Sequence, residues 1–356
     1  MANINLRSFT VLIVDQDDAQ RWMIHNLLQA LGVGEILTAN SNDDALNLLK
    51  RLSKKSITER VDAVDFMICD MFEELLNGIG MVRWIRMHRD SPNRFLPVIL
   101  MAKAFESKVI AEARGFGATQ FLLKPVTVDA LVDRILTVVN RPRPFVYNTA
   151  YFGPDRRGSL KTVPQERRDL DRSDVRVDRS PLTMALERFP NDSVIRIFRP
   201  PNHLKRKAGG DDDSDALFTT GAVFKAQKEL DKSKEEYVGS ALDYVESLQR
   251  IMSEAGTAPD KSEHFQRIHG LAKQLGLQGE TFGYPLVSMV GNSLMRFTGN
   301  GLPNSASSIE LVKVHIDSLT VILRSNIAGD GGETGRELVS QLQAAIKKIT
   351  RAAAAG

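Results

Sequence analysis

Five short apolar runs between residues 9 and 140 alternate with longer segments of helical period, and that alternation leaves few folds open. The runs are Phe9 to Val14, Glu35 to Ala39, Asp65 to Cys69, Pro97 to Met101 and Gln120 to Leu123. Each is short and largely apolar, as a strand covered on both faces must be. Strands that alternate with helices build a doubly wound parallel sheet, so residues 1–140 read as an α/β domain with five parallel strands. Ser41-Asn42-Asp43-Asp44 and Thr127-Val128-Asp129-Ala130 carry the residue types of capped helix starts, each followed by an apolar stripe.

The strands of such a sheet finish on a common rim, where ligands gather. Asp15 follows the first run, Asp70 follows the third, and the last run ends in Lys124-Pro125. In this topology the first and third strands are neighbours. Their two carboxylates would form a hard-oxygen site of the kind Mg²⁺ takes, and an ammonium beside them could hold a phosphoryl oxygen. That geometry suits phosphoryl chemistry, against the plainer reading of a solvated rim.

The layout resembles the receiver domain of bacterial two-component response regulators. The resemblance rests on Val11-Leu12-Ile13-Val14-Asp15-Gln16-Asp17, on Met67-Ile68-Cys69-Asp70 with Gly78 beyond it, on Leu96-Pro97-Val98-Ile99-Leu100-Met101 and on Gly117-Ala118-Thr119-Gln120-Phe121-Leu122-Leu123-Lys124-Pro125. It implies a flavodoxin-like fold and a signalling protein that is not itself an enzyme. Asp70 would accept a phosphoryl group from a phosphohistidine on a sensor histidine kinase or phosphotransfer protein, and Lys124 would bind the product. Mg²⁺ would sit on Asp15, Gln16, Asp70 and the backbone carbonyl of Phe72, and the Lys-Pro bond would be cis. Other signalling proteins would dock on the face made by the fourth strand, fourth helix and fifth strand.

Three departures from the family pattern stand out. Gln16 occupies the place of a second acid, with Asp17 one residue further on; Ala102 occupies the place of a threonine or serine; and Phe72-Glu73-Glu74 lies where Met-Pro is usual. The expected metal site is weakened and the expected hydroxyl is missing. A phosphoacceptor and a pseudo-receiver that binds partners without phosphorylation are both consistent with these residues.

Residues 141–215 change character, with Arg141-Pro142-Arg143-Pro144, Gly153-Pro154-Asp155-Arg156-Arg157, Glu166-Arg167-Arg168-Asp169 and Pro200-Pro201 breaking any sustained period. The expectation is a basic, largely disordered linker. Ten basic and six acidic residues between Arg141 and Ser180 give it a local positive surplus. Its basic clusters sit beside aromatic or apolar residues and could dock on an acidic surface or an anionic ligand. Phe145, Tyr147, Tyr151 and Phe152 argue instead for partial packing back on the first domain.

Over the whole chain, 47 basic against 44 acidic residues leave a net charge of +3, which gives no case for nucleic-acid or membrane partners. The start has no apolar signal core, and no run approaches the ~18 residues of a membrane span. The single cysteine, Cys69, lies within an expected buried strand and fits a reducing compartment, so the expected location is the cytoplasm.

Residues 216–352 are helical throughout by period, with stripes such as Val238, Leu242, Val245, Leu248 and Met252, and an antiparallel bundle would bury them. His269-Gly270-Leu271-Ala272-Lys273-Gln274-Leu275-Gly276 and Gly279-Glu280-Thr281-Phe282-Gly283-Tyr284-Pro285 look similar to a histidine phosphotransfer domain. Alignment through the glycines puts Lys273 at the histidine position, which makes the module degenerate and retained for docking. A second alignment takes His269 and Lys273, four apart on a helix, as a phosphoryl-handling face. A third reading is a phosphatase of a partner regulator, with Gln274, Gln278 and Glu280 placing a water. Three glycines in one helical stretch point to a close helix or partner approach, or to a helix end near Gly276 to Gly279.

Overall fold

The computed structural model describes residues 2–55, 64–71, 77–103, 107–148, 151–156, 175–178, 195–211, 213–299 and 305–355. It divides into two compact units, residues 1–229 and 230–356.

The first unit begins with β1 (Ala2–Asn3) and continues β2 (Thr10–Val14), α1 (Asp18–Ala30), β3 (Glu35–Ala39), α2 (Asn42–Lys55), β4 (Phe66–Asp70) and α3 (Asn77–Met87). After these come β5 (Val98–Ala102), α4 (Ser107–Gly115), β6 (Gln120–Leu123) and α5 (Val128–Asn140). The five expected strands form one sheet in the order β3-β2-β4-β5-β6, every pair parallel. Both β2 and β5 are buried at each position, which explains their unbroken apolar sequence. Asp17 caps α1 by accepting from the N–H groups of Ala19 and Gln20, and Thr127 caps α5 by accepting from Ala130. Two strands lie one residue later than expected, so that Asp70 and Ala102 are themselves the last strand residues.

The linker expectation for residues 141–215 does not hold where the chain is described. Strands β7 (Phe145–Asn148), β8 (Tyr151–Pro154), β9 (Val175–Asp178) and β10 (Ile195–Phe198) form a second sheet in the order β8-β7-β10-β9. A short helix, α6 (His203–Lys207), follows, and β11 (Ala216–Leu217) pairs in parallel with β1. What drives this is an aromatic cluster: Phe145, Tyr147, Phe152 and Phe198 bury their rings together and pack on Phe95. Four-residue strands carry too little period to announce themselves, and the cluster assembles only when β7, β8 and β10 meet. Nor are the described basic groups of this segment presented to an anionic ligand. Lys207 binds both carboxylate oxygens of Asp65 at 3.0 and 2.9 Å, Lys205 lies 3.2 Å from Asp215, and Arg156 donates to the Gly115 carbonyl at 2.6 Å. The Arg167-Arg168 cluster and the Phe72-Glu73-Glu74 segment lie outside the described residues.

Five further helices follow: α7 (Thr220–Thr257), α8 (Ser262–Gln278), α9 (Pro285–Gly299), α10 (Ala306–Arg324) and α11 (Gly332–Ala355). Within the second unit, α8 and α9 pack closely at glycines, since a Cβ on Gly291 would sit 2.7 Å from the Gly276 nitrogen. Helix α8 ends at Gln278 with Gly279 as its cap. The buried seam of α7 runs through Tyr237, Ala241, Val245 and Leu248, with the Tyr237 ring stacked on Phe282 at 4.8 Å. Val238 and Leu242, expected in that seam, are only half-buried. Stacking of tyrosine on an aromatic partner displaced the seam by one residue. No helix among the described residues is long and apolar enough to cross a membrane.

Candidate functional site at the sheet rim

Three strand ends converge as the topology requires. Asp15 follows β2, Asp70 closes β4, which pairs with β2, and Lys124 follows β6. The Lys124 Nζ lies 3.1 Å from Asp15 Oδ2 and 2.8 Å from Asp70 Oδ1. All three side chains are largely hidden, at 1 % exposed for Asp15, 10 % for Lys124 and 15 % for Asp70, and the order decides their roles. Asp15 is the sealed member and Asp70 the one open to an incoming group. The Lys124–Pro125 peptide is cis.

Burial pushes the Asp15 carboxyl up to about 6; Lys124 opposes this and Asp70 adds to it. Burial alone would lower the Lys124 ammonium, but Asp15 and Asp70 outweigh it and raise it, so the lysine is charged at neutral pH. One cation against two carboxylates leaves the cluster electron-rich. Cys69, fully buried beneath, is held as a thiol by burial and by the negative charge of Asp70 and Asp15.

The loop after β2 is fixed by two further groups. Asp17 N–H donates to Asp15 Oδ1 at 2.9 Å, and Arg21 donates from Nη1 to the Asp15 carbonyl at 2.5 Å while its Nη2 pairs with Asp18. Asp17 is therefore occupied as the α1 cap, and the reading that it replaces the missing acid finds no support in its contacts. Gln16 is exposed. Across the site, a Cβ on Gly78 would collide with the Asp70 carbonyl oxygen, so only glycine lets α3 start this close to the β4 end. Ala102 is buried, and its carbonyl accepts from Lys124 N–H at 2.8 Å, leaving the site without a hydroxyl there. Arg21 was not singled out by the sequence, because its function depends on a backbone carbonyl that no residue type announces.

The response regulator receiver domain family matches residues 11–136. Those residues are a receiver domain. The sensory/regulatory protein RpfC of Xanthomonas campestris pv. campestris is 28% identical over 130 residues, which are 36% of this chain and 16% of RpfC. The chain thus spans a small part of that relative's length. Chemotaxis protein CheY-3 of Vibrio cholerae is 27% identical over 135 residues, 38% of this chain and 95% of CheY-3. Among solved structures, the receiver domain of the histidine kinase CKI1 from Arabidopsis thaliana, complexed with Mg²⁺, is 26% identical over 38% of this chain and 96% of that one, with a TM-score of 0.33. The receiver belongs to two-component phosphorelay signalling.

The other candidate residues lie in the second unit. His269 is half-buried and turned to α9, its Nδ1 donating to the Met295 carbonyl at 3.0 Å, with Thr298 Oγ1 at 3.3 Å. Lys273 is exposed on the next turn of α8. His315 is fully buried, with Nδ1 on the Leu311 carbonyl at 2.8 Å and Nε2 on Ser293 at 2.9 Å, and burial holds its ring below the usual imidazole range.

Proposed function

We propose that the receiver accepts a phosphoryl group on Asp70 from a phosphohistidine of a sensor kinase or phosphotransfer protein, and signals through protein contacts. The observation that carries this reading is the Lys124 ammonium lying between the Asp15 and Asp70 carboxylates at 3.1 and 2.8 Å. In the transfer an Asp70 oxygen bonds to phosphorus, the P–N bond breaks, and the imidazole leaves with its electron pair. Lys124 is within reach to follow a phosphoryl oxygen on Asp70.

Asp15 and Asp70 on adjacent strands fit Mg²⁺, a hard cation that keeps several waters and needs only one or two carboxylates. Among the described residues no cluster of three or more metal-ligating side chains exists, which agrees with a site poorer than two acids and Asp70 would make. Bound there, Mg²⁺ would neutralise charge as the phosphoryl group arrives.

Gln16 and Ala102 favour one rival, a pseudo-receiver that binds partners without phosphorylation. For the second unit, the contact of His269 with Met295 supports a degenerate phosphotransfer-type bundle kept for docking, because a phosphoryl-carrying imidazole must face a partner. Incubation with acetyl phosphate and Mg²⁺ followed by intact mass measurement tests the acceptor reading. One hydroxylamine-labile phosphoryl group, lost in Asp70→Asn, is expected. Absence of any adduct on the wild-type chain would leave the pseudo-receiver.

A further inference from the structure

Away from the Asp70 site, a cleft of about 710 Å³ runs along the sheet edge. One side of it is strand backbone, at Thr38, Ala39 and Asn40. Among the described residues β3 pairs only with β2, so one row of its N–H and C=O groups is turned outward. The cleft is also lined by Arg21 of α1 and by Lys50 and Arg51 of α2, against the single carboxylate of Asp44.

Edge strands are commonly protected by charges on the strand itself. Here Glu35 is the strand's one charged residue, and Ile36-Leu37-Thr38-Ala39 follows it. The cations lie on the flanking helices instead, and two of them are held in place: Arg21 by the Asp15 carbonyl, and Lys50 with its ammonium 5.5 Å from the Trp84 ring centre. Cationic walls around an open strand edge select a ligand that is both extended and acidic. A small phosphate could use the cations and the N–H groups but would leave the strand carbonyls unanswered. An added strand answers both rows, and its alternate side chains would reach the helices.

We infer that the β3 edge is a docking site for an extended acidic segment of a partner protein, which joins the sheet as a sixth strand beside β3. This site is separate from Asp70 and does not depend on phosphorylation.

The test uses the full chain and a blocked peptide of alternating valine and glutamate, as long as β3, with amide resonances of residues 35–40 followed by NMR. Saturable shifts confined to β3 and the facing turns of α1 and α2 are expected. The same peptide with lysine for glutamate should give none, and one with proline at its centre should bind more weakly. The double variant Lys50→Glu/Arg51→Glu should weaken binding about tenfold or more, which is ~1.4 kcal/mol, with unchanged tryptophan fluorescence of the fold. Failure of the glutamate peptide to shift β3, or equal binding of the lysine peptide, overturns the inference. Tighter binding of pyrophosphate than of the peptide at the same residues would also overturn it, in favour of a small-anion site.

Discussion

Two cationic side chains are buried at opposite ends of the same sheet, and they are neutralised by different means. At the carboxyl rim Lys124 faces two carboxylates. At the other end Arg86, fully buried on α3, meets none: its guanidinium donates to the carbonyls of Gly117 at 3.0 Å, Arg94 at 2.8 Å and Leu96 at 2.8 Å, and to Thr119 Oγ1 at 3.3 Å, with the Phe145 ring 5.3 Å away. Burial pushes Arg86 down to about 9, so it keeps its charge at neutral pH. The carbonyls that surround it are dipoles that cannot leave or gain a proton. Such a charge is locked into structure. The Lys124 cluster carries unbalanced negative charge and one half-open carboxylate, and that residue of reactivity is what a phosphoryl acceptor needs.

The contrast can be broken most forcefully at Arg86. Arg86→Met strands three buried carbonyls and should destabilise the first unit by about 3 kcal/mol or more, read as a lower urea midpoint by tryptophan fluorescence. Both tryptophans, Trp22 and Trp84, lie in that unit, so the probe reports it alone. Lys124→Met should cost less, about 2 kcal/mol, because a carboxylate freed of its cation can take up a proton. A larger loss at Lys124 than at Arg86 would overturn the distinction between them.

The smallest effect concerns a third solution, His315, which is buried without charge. Its folded pKa lies below the unfolded value of 6.5, so the unfolded chain binds more protons as the solution is acidified. The stability it contributes is present above that value and is lost as pH falls through it. Ser293 and Phe297 of α9 and the Leu311 carbonyl face the ring, and none of them carries a charge to offset protonation. The unfolding midpoint of the second unit, followed by near-ultraviolet circular dichroism of its tyrosines, should drop between pH 7 and 5. His315→Phe should flatten that response.

How far each feature could be read in advance follows from where its partners lie in the chain. Asp15, Asp70 and Lys124 were legible because strand ends are marked by the apolar runs before them, and a parallel sheet brings those ends together whatever the loops do. Arg86 was not, since its acceptors are backbone groups at residues 94, 96 and 117, and a carbonyl has no residue type. The strands of residues 145–198 were hidden for another reason. Each is too short for a period, and the aromatic residues that bury one another are separated by the very stretch that looked like a tether. Asp17 shows the reverse error, in which a plausible ligand by composition is drawn to the nearest orphan N–H groups of a helix start.

The first unit is stitched shut by bonds between residues far apart in the chain: β1 to β11, Asn202 to the Val139 carbonyl, and Lys207 to Asp65 across 142 positions. Closing so long a loop costs little more than closing a short one, because the penalty grows only with the logarithm of length. Its later portion is therefore held by noncovalent contacts as well as by the peptide chain. A protease that cut once between Arg156 and Val175 would leave two polypeptides still folded as one body, and a gene split there would encode two halves able to find each other.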